Sequence, residues 1–389
     1  MKTDKDEIIV KDPNIIGAPS IPAERIPLGI PGDCKPSIAL LPNGEILLTA
    51  YHHHRDFSPY SYTGIYNNIP IKKDIHFEGI IYRSKDGGLT WSERNTLHLS
   101  AGMQQPFISV TKNGTLFITH FFDCRGVGNL YDYSPSFISR SEDNGYSWET
   151  RRIGREEICS PNARWIFTSM NVAEAPGGRL LLAVSDDQLH SYIWGSSDDG
   201  KNWIKQRFSL RDDKEGLFAF WYGFFCEAYL WYSKHGKLLI FCRTESAHYP
   251  IKGQPAPEKH DFNHRTVLFE SNDDGRTAKK VKDFGNYGEM YPSILRLKND
   301  RLLYTFSSKC NKPLGVRACL GKETEEGGVE FDLQQDRIIL ETRTPDNQTT
   351  GSGHGNTVQL ADETLVTPYS YRGSDGRRHM EIVRWKLDL

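Results

Sequence analysis

The 389-residue sequence has no long apolar run, no charge imbalance and few cysteines. Its first ten residues, MKTDKDEIIV, lack the apolar stretch of a signal peptide. We therefore expect a cytoplasmic protein, or a secreted or periplasmic one whose signal was removed. Lys and Arg number 48 against 50 Asp and Glu, so the net charge is −2. This balance gives no reason to expect nucleic acid or a membrane surface as a partner.

The cysteine pattern and the absence of helical periodicity narrow the fold further. Seven cysteines are an odd number, and no C-x-x-C spacing occurs among them. This predicts reduced, mostly buried thiols rather than a disulfide framework or a structural zinc site. No segment has the composition of a linker, and nothing indicates a cofactor. We expect a single all-β domain over residues 1–389.

A hairpin with a tight turn between two apolar strands recurs along the chain. It occupies residues 36–50, 106–120, 171–184, 227–243, 291–306 and 356–371. Turn positions 44, 114, 178, 236, 300 and 363 are separated by 70, 64, 58, 64 and 63 residues, which suits a four-stranded blade with its loops. Asn-Gly and Gly-Gly turns are strong hairpin signals because they require positive φ. Six such hairpins predict a six-bladed β-propeller.

A second repeat alternates with the first. Its copies begin at Ser84, Ser141 and Ser196 with the pattern S-x-D-x-G-x-x-W, and a fourth copy at Ser271 lacks the Trp. The Asp can accept backbone N–H bonds, the Gly permits positive φ, and the Trp can pack between sheets. These copies resemble the Asp box of sialidases, also called the BNR repeat, and the resemblance covers nearly the whole chain. We expect the Asp residues to be structural.

The two chain ends are both strand-like. Residues 7–10 and 379–386 have the apolar and β-branched composition of strands. We expect one of these segments to complete a blade that the other begins. A ring closed in this way has no free sheet edges.

In such a ring the first strand of each blade faces a central channel. The six residues at the entrance of these strands are Lys35, Gln105, Asn171, Glu227, Tyr291 and Asn356. Further candidates on the neighbouring loops are Arg55, Arg164, Trp221 and Glu289. Aromatic faces and charged donors are what sugar recognition requires. We predict a glycan or oligosaccharide substrate here; the alternative is a solvated channel whose polar groups pair with one another.

The resemblance to sialidases implies roles for particular residues. Glu227 and Arg243 match the family's Glu and Arg of blade four, which implies a nucleophile-assisting or basic Glu227 and an Arg243 that binds a substrate carboxylate. Lys35 and Tyr291 stand where the family has its other two arginines, and His354 stands where it has its nucleophilic tyrosine. Lysine keeps the charge but loses the two-pronged geometry. The incomplete arginine set predicts a substrate other than an ordinary sialoside.

The segment after the first hairpin supplies the remaining candidates. Asp56, 21 residues after Lys35, falls where the family's loop acid is expected and could protonate a leaving oxygen. Three consecutive histidines precede it, and strand alternation places only His52 and His54 on one face. Their spacing does not surround an ion, so we predict no metal site. His54 could shuttle a proton or donate a hydrogen bond to a sugar.

Three functions fit these residues. An exo-acting glycoside hydrolase would use Glu227 and Asp56 as its carboxyl pair. A uronate lyase would use His54 or His354 with a tyrosine as base and acid, and Arg243 would neutralise the uronate carboxylate. A glycan-binding propeller without catalysis is the third. The sugar, its linkage and the oligomeric state are left open by the sequence.

Overall fold

The computed structural model describes most of the chain, and the described chain is almost entirely β-strand. The described residues are 4–10, 21–53, 64–66, 69–71, 77–100, 102–122, 133–187, 191–206, 226–245, 264–309, 314–332, 338–341, 343–345 and 353–387. Within these ranges no helix is long and apolar enough to cross a membrane.

The first half of the chain forms two entry strands, three antiparallel blade sheets and a two-stranded sheet inserted in blade one. The entry strands are β1 (Asp4–Val10) and β2 (Ile21–Leu28). Blade one contains β3 (Asp33–Leu40), β4 (Ile46–His53), an inserted hairpin of β5 (Gly64–Tyr66) and β6 (Ile69–Ile71), β7 (Phe77–Ser84) and β8 (Asn95–Thr96). Blade two contains β9 (Met103–Val110), β10 (Leu116–Phe122), β11 (Ser136–Ser141) and β12 (Glu149–Ile153), followed by the single-turn helix α1 (Arg155–Ile158). Blade three contains β13 (Ile166–Thr168), β14 (Ala173–Glu174), β15 (Leu180–Asp186), β16 (Ser191–Ser196) and β17 (Ile204–Gln206).

The second half completes a six-bladed β-propeller, as the hairpin repeat predicts. Blade four contains β18 (Cys226–Tyr232), β19 (Leu238–Glu245), β20 (His264–Ser271) and β21 (Lys279–Asp283). Blade five contains β22 (Glu289–Arg296), β23 (Leu302–Ser308), β24 (Gly315–Glu323), β25 (Val329–Phe331) and β26 (Ile338–Ile339). Blade six contains β27 (Val358–Gln359), β28 (Leu365–Arg372) and β29 (Arg378–Trp385).

The ring is closed by strands from both ends of the chain. β2 pairs with β29, so the N-terminal part supplies the outer strand of blade six. β1 pairs with both β2 and β26 and thereby joins blades five and six in one sheet. The expectation that the two ends share a blade is confirmed. The strand beside β29, however, is β2 and not the predicted segment 7–10, because that segment lies one strand further out.

The predicted hairpin turns have the expected backbone conformation. The six turn residues with positive φ are Gly44, Gly114, Gly178, Gly236, Asp300 and Glu363. In blades five and six the turn is made without glycine, at φ values of 66° and 68°.

The apolar core is divided among the blade interfaces. Six clusters of buried side chains each join two neighbouring blades. Between blades three and four, for example, Leu181 and Ile193 pack with Leu230, Ile240 and Phe269. Burial of this surface stabilises the ring.

The second repeat forms four rim turns, each between the third and fourth strands of a blade. In blade two, Asp143 accepts hydrogen bonds from the backbone N–H groups of Tyr146 at 3.0 Å and Ser147 at 2.9 Å, and from the Ser147 hydroxyl at 2.5 Å. The hydroxyl and backbone hydrogen bonds from Ser147 lower the pKa of Asp143 to about 2. Similar contacts occur at the three other copies, including the one without Trp. These carboxylates are engaged by their own turns, as expected for a structural role.

One of these turns shows why glycine is required. Gly200 in blade three has φ of 80°, and a Cβ there would lie 2.4 Å from the Phe117 ring of blade two. Any side chain at this position would be strained and would also push the two blades apart.

Candidate active site

The inner strands of four blades contain a β-bulge at the predicted entrance position. The pairing register of each strand with its hairpin partner shifts beside Lys35, Gln105, Glu227 and Tyr291. These residues have left-handed φ values of 50°, 53°, 47° and 60°. A residue with a Cβ is destabilised there by about 1 kcal/mol, and such strain concentrates at functional sites. The bulges therefore mark blades one, two, four and five as the source of a site.

A residue followed by proline marks three of these four bulges in the sequence. Lys35, Gln105 and Tyr291 each precede a proline, whereas Glu227 precedes Ala228. Proline has no N–H to donate to the strand ladder, and a bulge leaves such a position unpaired.

Lys35 and Tyr291 meet at the centre of the ring although they come from blades one and five. The Lys35 Nζ donates to the Tyr291 hydroxyl at 3.0 Å and lies 4.7 Å from the centroid of its ring. Tyr291 is buried, whereas Lys35 is half-buried. The contact combines a hydrogen bond with a cation–π interaction.

Glu227 and Arg243, which the sequence analysis assigns to blade four as a functional Glu and a substrate-binding Arg, form an ion pair with each other. Arg243 Nη1 donates to Glu227 Oε2, and Arg243 Nη2 donates to His264 Nε2 at 3.2 Å. The side chains of Glu227 and Arg243 are 7% and 19% exposed. The carboxylate is therefore enclosed, while part of the guanidinium is open to solvent.

Blade five supplies a cation that the sequence analysis missed. Lys309 directly follows β23, and its Nζ lies 5.6 Å from the centroid of the Tyr291 ring. The sequence pattern predicts the blade-five group only at the start of the inner strand, at Tyr291. The missed signal is a basic residue at the end of the second strand, where Arg243 lies in blade four.

His354 completes the centre from blade six. It is 1% exposed, and its ring makes edge-to-face contacts with Phe107 at 5.2 Å and Tyr291 at 5.3 Å. Neither ring nitrogen has a hydrogen-bond partner within the described ranges. Buried polar groups almost always have hydrogen-bond partners. A buried imidazole with neither nitrogen bonded therefore indicates a place where a ligand or a water molecule binds.

The groups at the centre of the ring, here called the central cluster, shift one another's pKa values. Its members are Lys35, Glu227, Arg243, Tyr291, Lys309 and His354. Burial opposes the charge of Glu227, but the positive charges of Arg243 and Lys35 hold its pKa below the ordinary value. Burial lowers the pKa of Lys35 to about 7 against the attraction of Glu227, and the charges of Lys309 and Arg243 add to that effect. Burial also lowers the pKa of His354 to about 3. Near pH 7 the cluster holds a carboxylate, a neutral imidazole and a lysine present in both forms.

Asn171 and Asn356 occupy the entrance positions of blades three and six but connect blades to each other. Asn171 donates to the carbonyl of Leu230 at 2.8 Å and accepts from its N–H at 2.9 Å. Asn356 forms the same two bonds with Ile38, at 2.7 and 3.1 Å. Both were predicted to bind substrate; their amides instead bind the backbone of the next inner strand.

The other predicted residues lie around this centre with different surroundings. Gln105 is half-buried on its bulge. Both oxygens of the buried Glu289 carboxylate accept bonds from Asn286, from its N–H at 2.8 Å and its amide at 3.1 Å. Arg164 is exposed. Tyr369 of blade six is buried and bonded to both Arg25 and Glu381.

Four predicted site residues, His54, Arg55, Asp56 and Trp221, lie outside the described residues. His52, expected to face a pocket together with His54, is buried, and its Nδ1 lies 2.7 Å from the Asp33 carboxylate. In the described part of the chain, no group of three or more His, Cys, Asp or Glu side chains could hold a metal ion.

No family model matches this sequence, and no curated protein does. Solved structures do match its fold. A protein of unknown function from Dyadobacter fermentans superposes with a TM-score of 0.65 over 99% of both chains, at 19% identity. The intramolecular trans-sialidase of Ruminococcus gnavus, solved with oseltamivir carboxylate, superposes with a TM-score of 0.60 over 92% of this chain and 94% of its own, at 13% identity.

A third structure is longer than this chain. Trypanosoma rangeli sialidase, solved with sialic acid, superposes with a TM-score of 0.57 and 14% identity over 99% of this chain but only 59% of its own. The chain thus spans about three-fifths of that enzyme. At these identities the likeness establishes the fold and leaves the chemistry to be argued from the site.

Proposed function

We propose that this chain, which has the six-bladed sialidase-like propeller fold, is a carbohydrate-active enzyme, an exo-acting glycoside hydrolase that releases a terminal acidic sugar from a glycan. The observation that carries the proposal is the central cluster. Cations from three blades, Lys35, Arg243 and Lys309, surround one carboxylate and one phenol.

The excess of positive charge favours an anionic substrate. The negative charge of Glu227 raises the pKa of Lys35, while the positive charges of Lys309 and Arg243 lower it. A sugar carboxylate would therefore lower the energy of the cluster, and Arg243 has the fork geometry for it. Lys35 and Lys309 are point charges, so the carboxylate would be held less rigidly than by three arginines. This supports an acidic sugar other than an ordinary sialoside.

The phenol of Tyr291 is the nucleophile in this proposal. The unprotonated form of Lys35, whose Nζ lies 3.0 Å from the Tyr291 hydroxyl, accepts the phenolic proton as the oxygen attacks the anomeric carbon. The Glu227 carboxylate stabilises the positive charge that develops on the sugar. The leaving oxygen requires a proton, a step for which the sequence predicts Asp56. Water then releases the sugar from Tyr291.

A lyase that acts on uronate residues is the second candidate, and His354 favours it. Its imidazole is neutral near pH 7, because burial lowers its pKa to about 3, and it lies against the Tyr291 ring. A neutral imidazole and a phenol could serve as base and acid for removal of the proton next to a carboxylate, while the cations neutralise that carboxylate.

A substrate screen separates these functions by product. The purified chain is incubated with sialosides, other acidic aryl glycosides and uronate-containing oligosaccharides. A hydrolase releases a reducing acidic sugar without new ultraviolet absorbance, and a lyase creates an unsaturated uronate that absorbs. Binding without either product would contradict the enzymatic proposal and favour the glycan-binding propeller.

Variants then test the assignment on the substrate that is found. Tyr291→Phe and Glu227→Gln are each expected to lower kcat by about 100-fold or more. Tyr229→Phe is the matched control, because Tyr229 lies on the same inner strand as Glu227 but donates to the Ile294 carbonyl at 3.4 Å. Turnover by both site variants at the rate of the control would overturn the assignment.

A further inference from the structure

Lys35 combines features that favour an amine nucleophile over a simple binding charge. It lies on a strained bulge with φ of 50°, which fixes the start of its side chain. Its Nζ is 3.0 Å from a phenolic hydroxyl. Lys35 is half-buried, so part of its side chain is exposed to solvent.

The surroundings of Lys35 make its neutral form available. The charged or titratable groups that influence it come from the other blades and from its own strand, namely Glu227, Arg243, Lys309, Cys34, Tyr291 and His354. Burial is the largest influence and lowers the pKa of Lys35 to about 7, while Lys309 and Arg243 act in the same direction. A desolvated lysine beside other cations is a recognised way to activate an amine for Schiff-base formation.

The same cations select the electrophile. Lys309 and Lys35 lie against the same Tyr291 ring, and the charges of both Lys309 and Arg243 act on Lys35. These two cations favour a carboxylate next to the amine. A carbonyl attached directly to that carboxylate would then lie within reach of Nζ. The chemical class that meets both conditions is the 2-oxo acid, including the open-chain form of a 2-oxo sugar acid.

We infer that Lys35 forms an imine with 2-oxo acids bound by Arg243 and Lys309, with Tyr291 as the proton donor. The Nζ lone pair attacks the carbonyl carbon, and the carbonyl oxygen becomes a hydroxyl after proton transfer. The Tyr291 hydroxyl protonates this hydroxyl, water leaves, and a C=N bond replaces the C=O bond. The resulting iminium nitrogen returns a proton to the Tyr291 phenolate, which restores the phenol and leaves the imine. No oxidant or reductant is consumed. The inference rests on the proposed function only for recognition of a carboxylate.

Reductive trapping tests this step without knowledge of the natural substrate. The full chain is incubated with pyruvate and sodium cyanoborohydride, which reduces the imine to a stable secondary amine. Intact-mass measurement is expected to show one reduced pyruvate adduct per chain, and peptide mapping is expected to place it on Lys35. Acetone, which has the carbonyl but no carboxylate, is expected to give a background level of adduct.

Three variants make the result specific. Lys35→Arg is expected to reduce the adduct to background, because the guanidinium remains protonated. Tyr291→Phe is expected to slow trapping while the adduct still maps to Lys35. Lys298→Arg is the matched control, since Lys298 is exposed and donates to the Ala361 carbonyl at 2.6 Å; its adduct level is expected to equal that of the wild type. Thermal melting of each variant establishes that it is folded.

The pH dependence provides a second readout. Trapping is expected to rise as the pH passes through about 7, where Lys35 loses its proton, whereas a solvent-exposed lysine would follow a pKa near 10. An adduct spread over many lysines, an adduct that persists in Lys35→Arg, or no adduct at any pH would overturn the inference. Glycoside turnover with no trapped adduct would overturn the inference and leave the proposed function intact. An adduct on Lys35 without turnover of any glycan would support the inference and contradict the proposed function.

Discussion

Blades one, two, four and five differ from blades three and six at the centre of the ring. The four have inner strands of 8, 8, 7 and 8 residues, each with a bulge and a left-handed residue. In blades three and six the corresponding strands, β14 and β27, have two residues each, and an asparagine binds the next blade. The order of bulge, bulge and asparagine occurs twice around the ring, so its two halves are related by an approximate two-fold pattern.

This difference distinguishes the entrance residues that form the central cluster from those that connect neighbouring blades. A bulge leaves one residue outside the strand ladder, and in three of the four bulged blades that residue belongs to the central cluster. An asparagine side chain carries a donor and an acceptor, so it can replace a backbone ladder where a short strand leaves the next blade unpaired. The polar entrance positions therefore have two roles, and the backbone conformation tells which role each one has.

The largest expected effect on stability comes from removing the positive charge that pairs with Glu227 in blade four. Arg243→Met leaves the buried Glu227 carboxylate without its direct partner, so we expect the free energy of unfolding at pH 7 to fall by about 3 kcal/mol. Urea denaturation measures this. The double variant Glu227→Gln with Arg243→Met is the control and is expected to recover most of the loss, because no unpaired carboxylate remains. Equal losses in the single and double variants would contradict a charged Glu227.

The asparagine blades provide the second prediction. Asn356→Ala leaves the buried N–H and carbonyl of Ile38 without their partners, and we expect a loss of about 2 kcal/mol in the free energy of unfolding. Asn171→Ala, which affects Leu230 in the same way, is expected to give a similar loss. Both are measured by urea denaturation. A loss in one variant and none in the other would break the two-fold pattern.

How much the sequence could predict depends on the distance over which each feature is encoded. Hairpin turns and rim turns are set within a few residues, so Gly114 and Asp143 were predicted with their conformation and role. Glu227 and Arg243 belong to one hairpin, and its register brings them together. Local signals of this kind were sufficient for the fold, the number of blades and this part of the site.

The rest of the site depends on contacts that only ring closure creates. Lys35 and Tyr291 are separated by 256 residues, and no local pattern indicates that their side chains touch. Asn171 has the same polar character as a substrate-binding residue, and only the position of the next blade reveals its structural bonds. Lys309 shares with Arg243 a place at the end of a second strand, but only the folded ring shows that it lies beside the Tyr291 ring.

A third prediction tests whether the bulge conformation itself stores strain. Gln105 has φ of 53°, and glycine adopts this conformation without the penalty of a Cβ. We expect Gln105→Gly to raise the free energy of unfolding by up to about 1 kcal/mol. The control is Asn171→Gly, expected to be destabilised because it loses the inter-blade bonds. Destabilisation of Gln105→Gly by as much as its control would show that the Gln105 side chain, and not its backbone, determines the stability of that bulge.

The smallest expected effect lies on the rim, where the Asp143 carboxylate is bonded by residues of its own turn. Hydrogen bonds from Ser147 lower the pKa of Asp143 to about 2, so the folded state favours the carboxylate. A lowered pKa stabilises the fold above the ordinary carboxyl pKa near 4, and this contribution disappears as the pH falls toward 2. Asp143→Asn is therefore expected to be slightly less stable than the wild type at pH 7, by about 0.5 kcal/mol, and the difference is expected to shrink in acid.

Denaturation curves from pH 7 down to the acid limit of folding test this prediction for Asp143→Asn. Glu326→Gln is the control for an exposed carboxylate outside these turns, and a constant difference for Asp143→Asn across that range would mean that its charge plays no part in the turn.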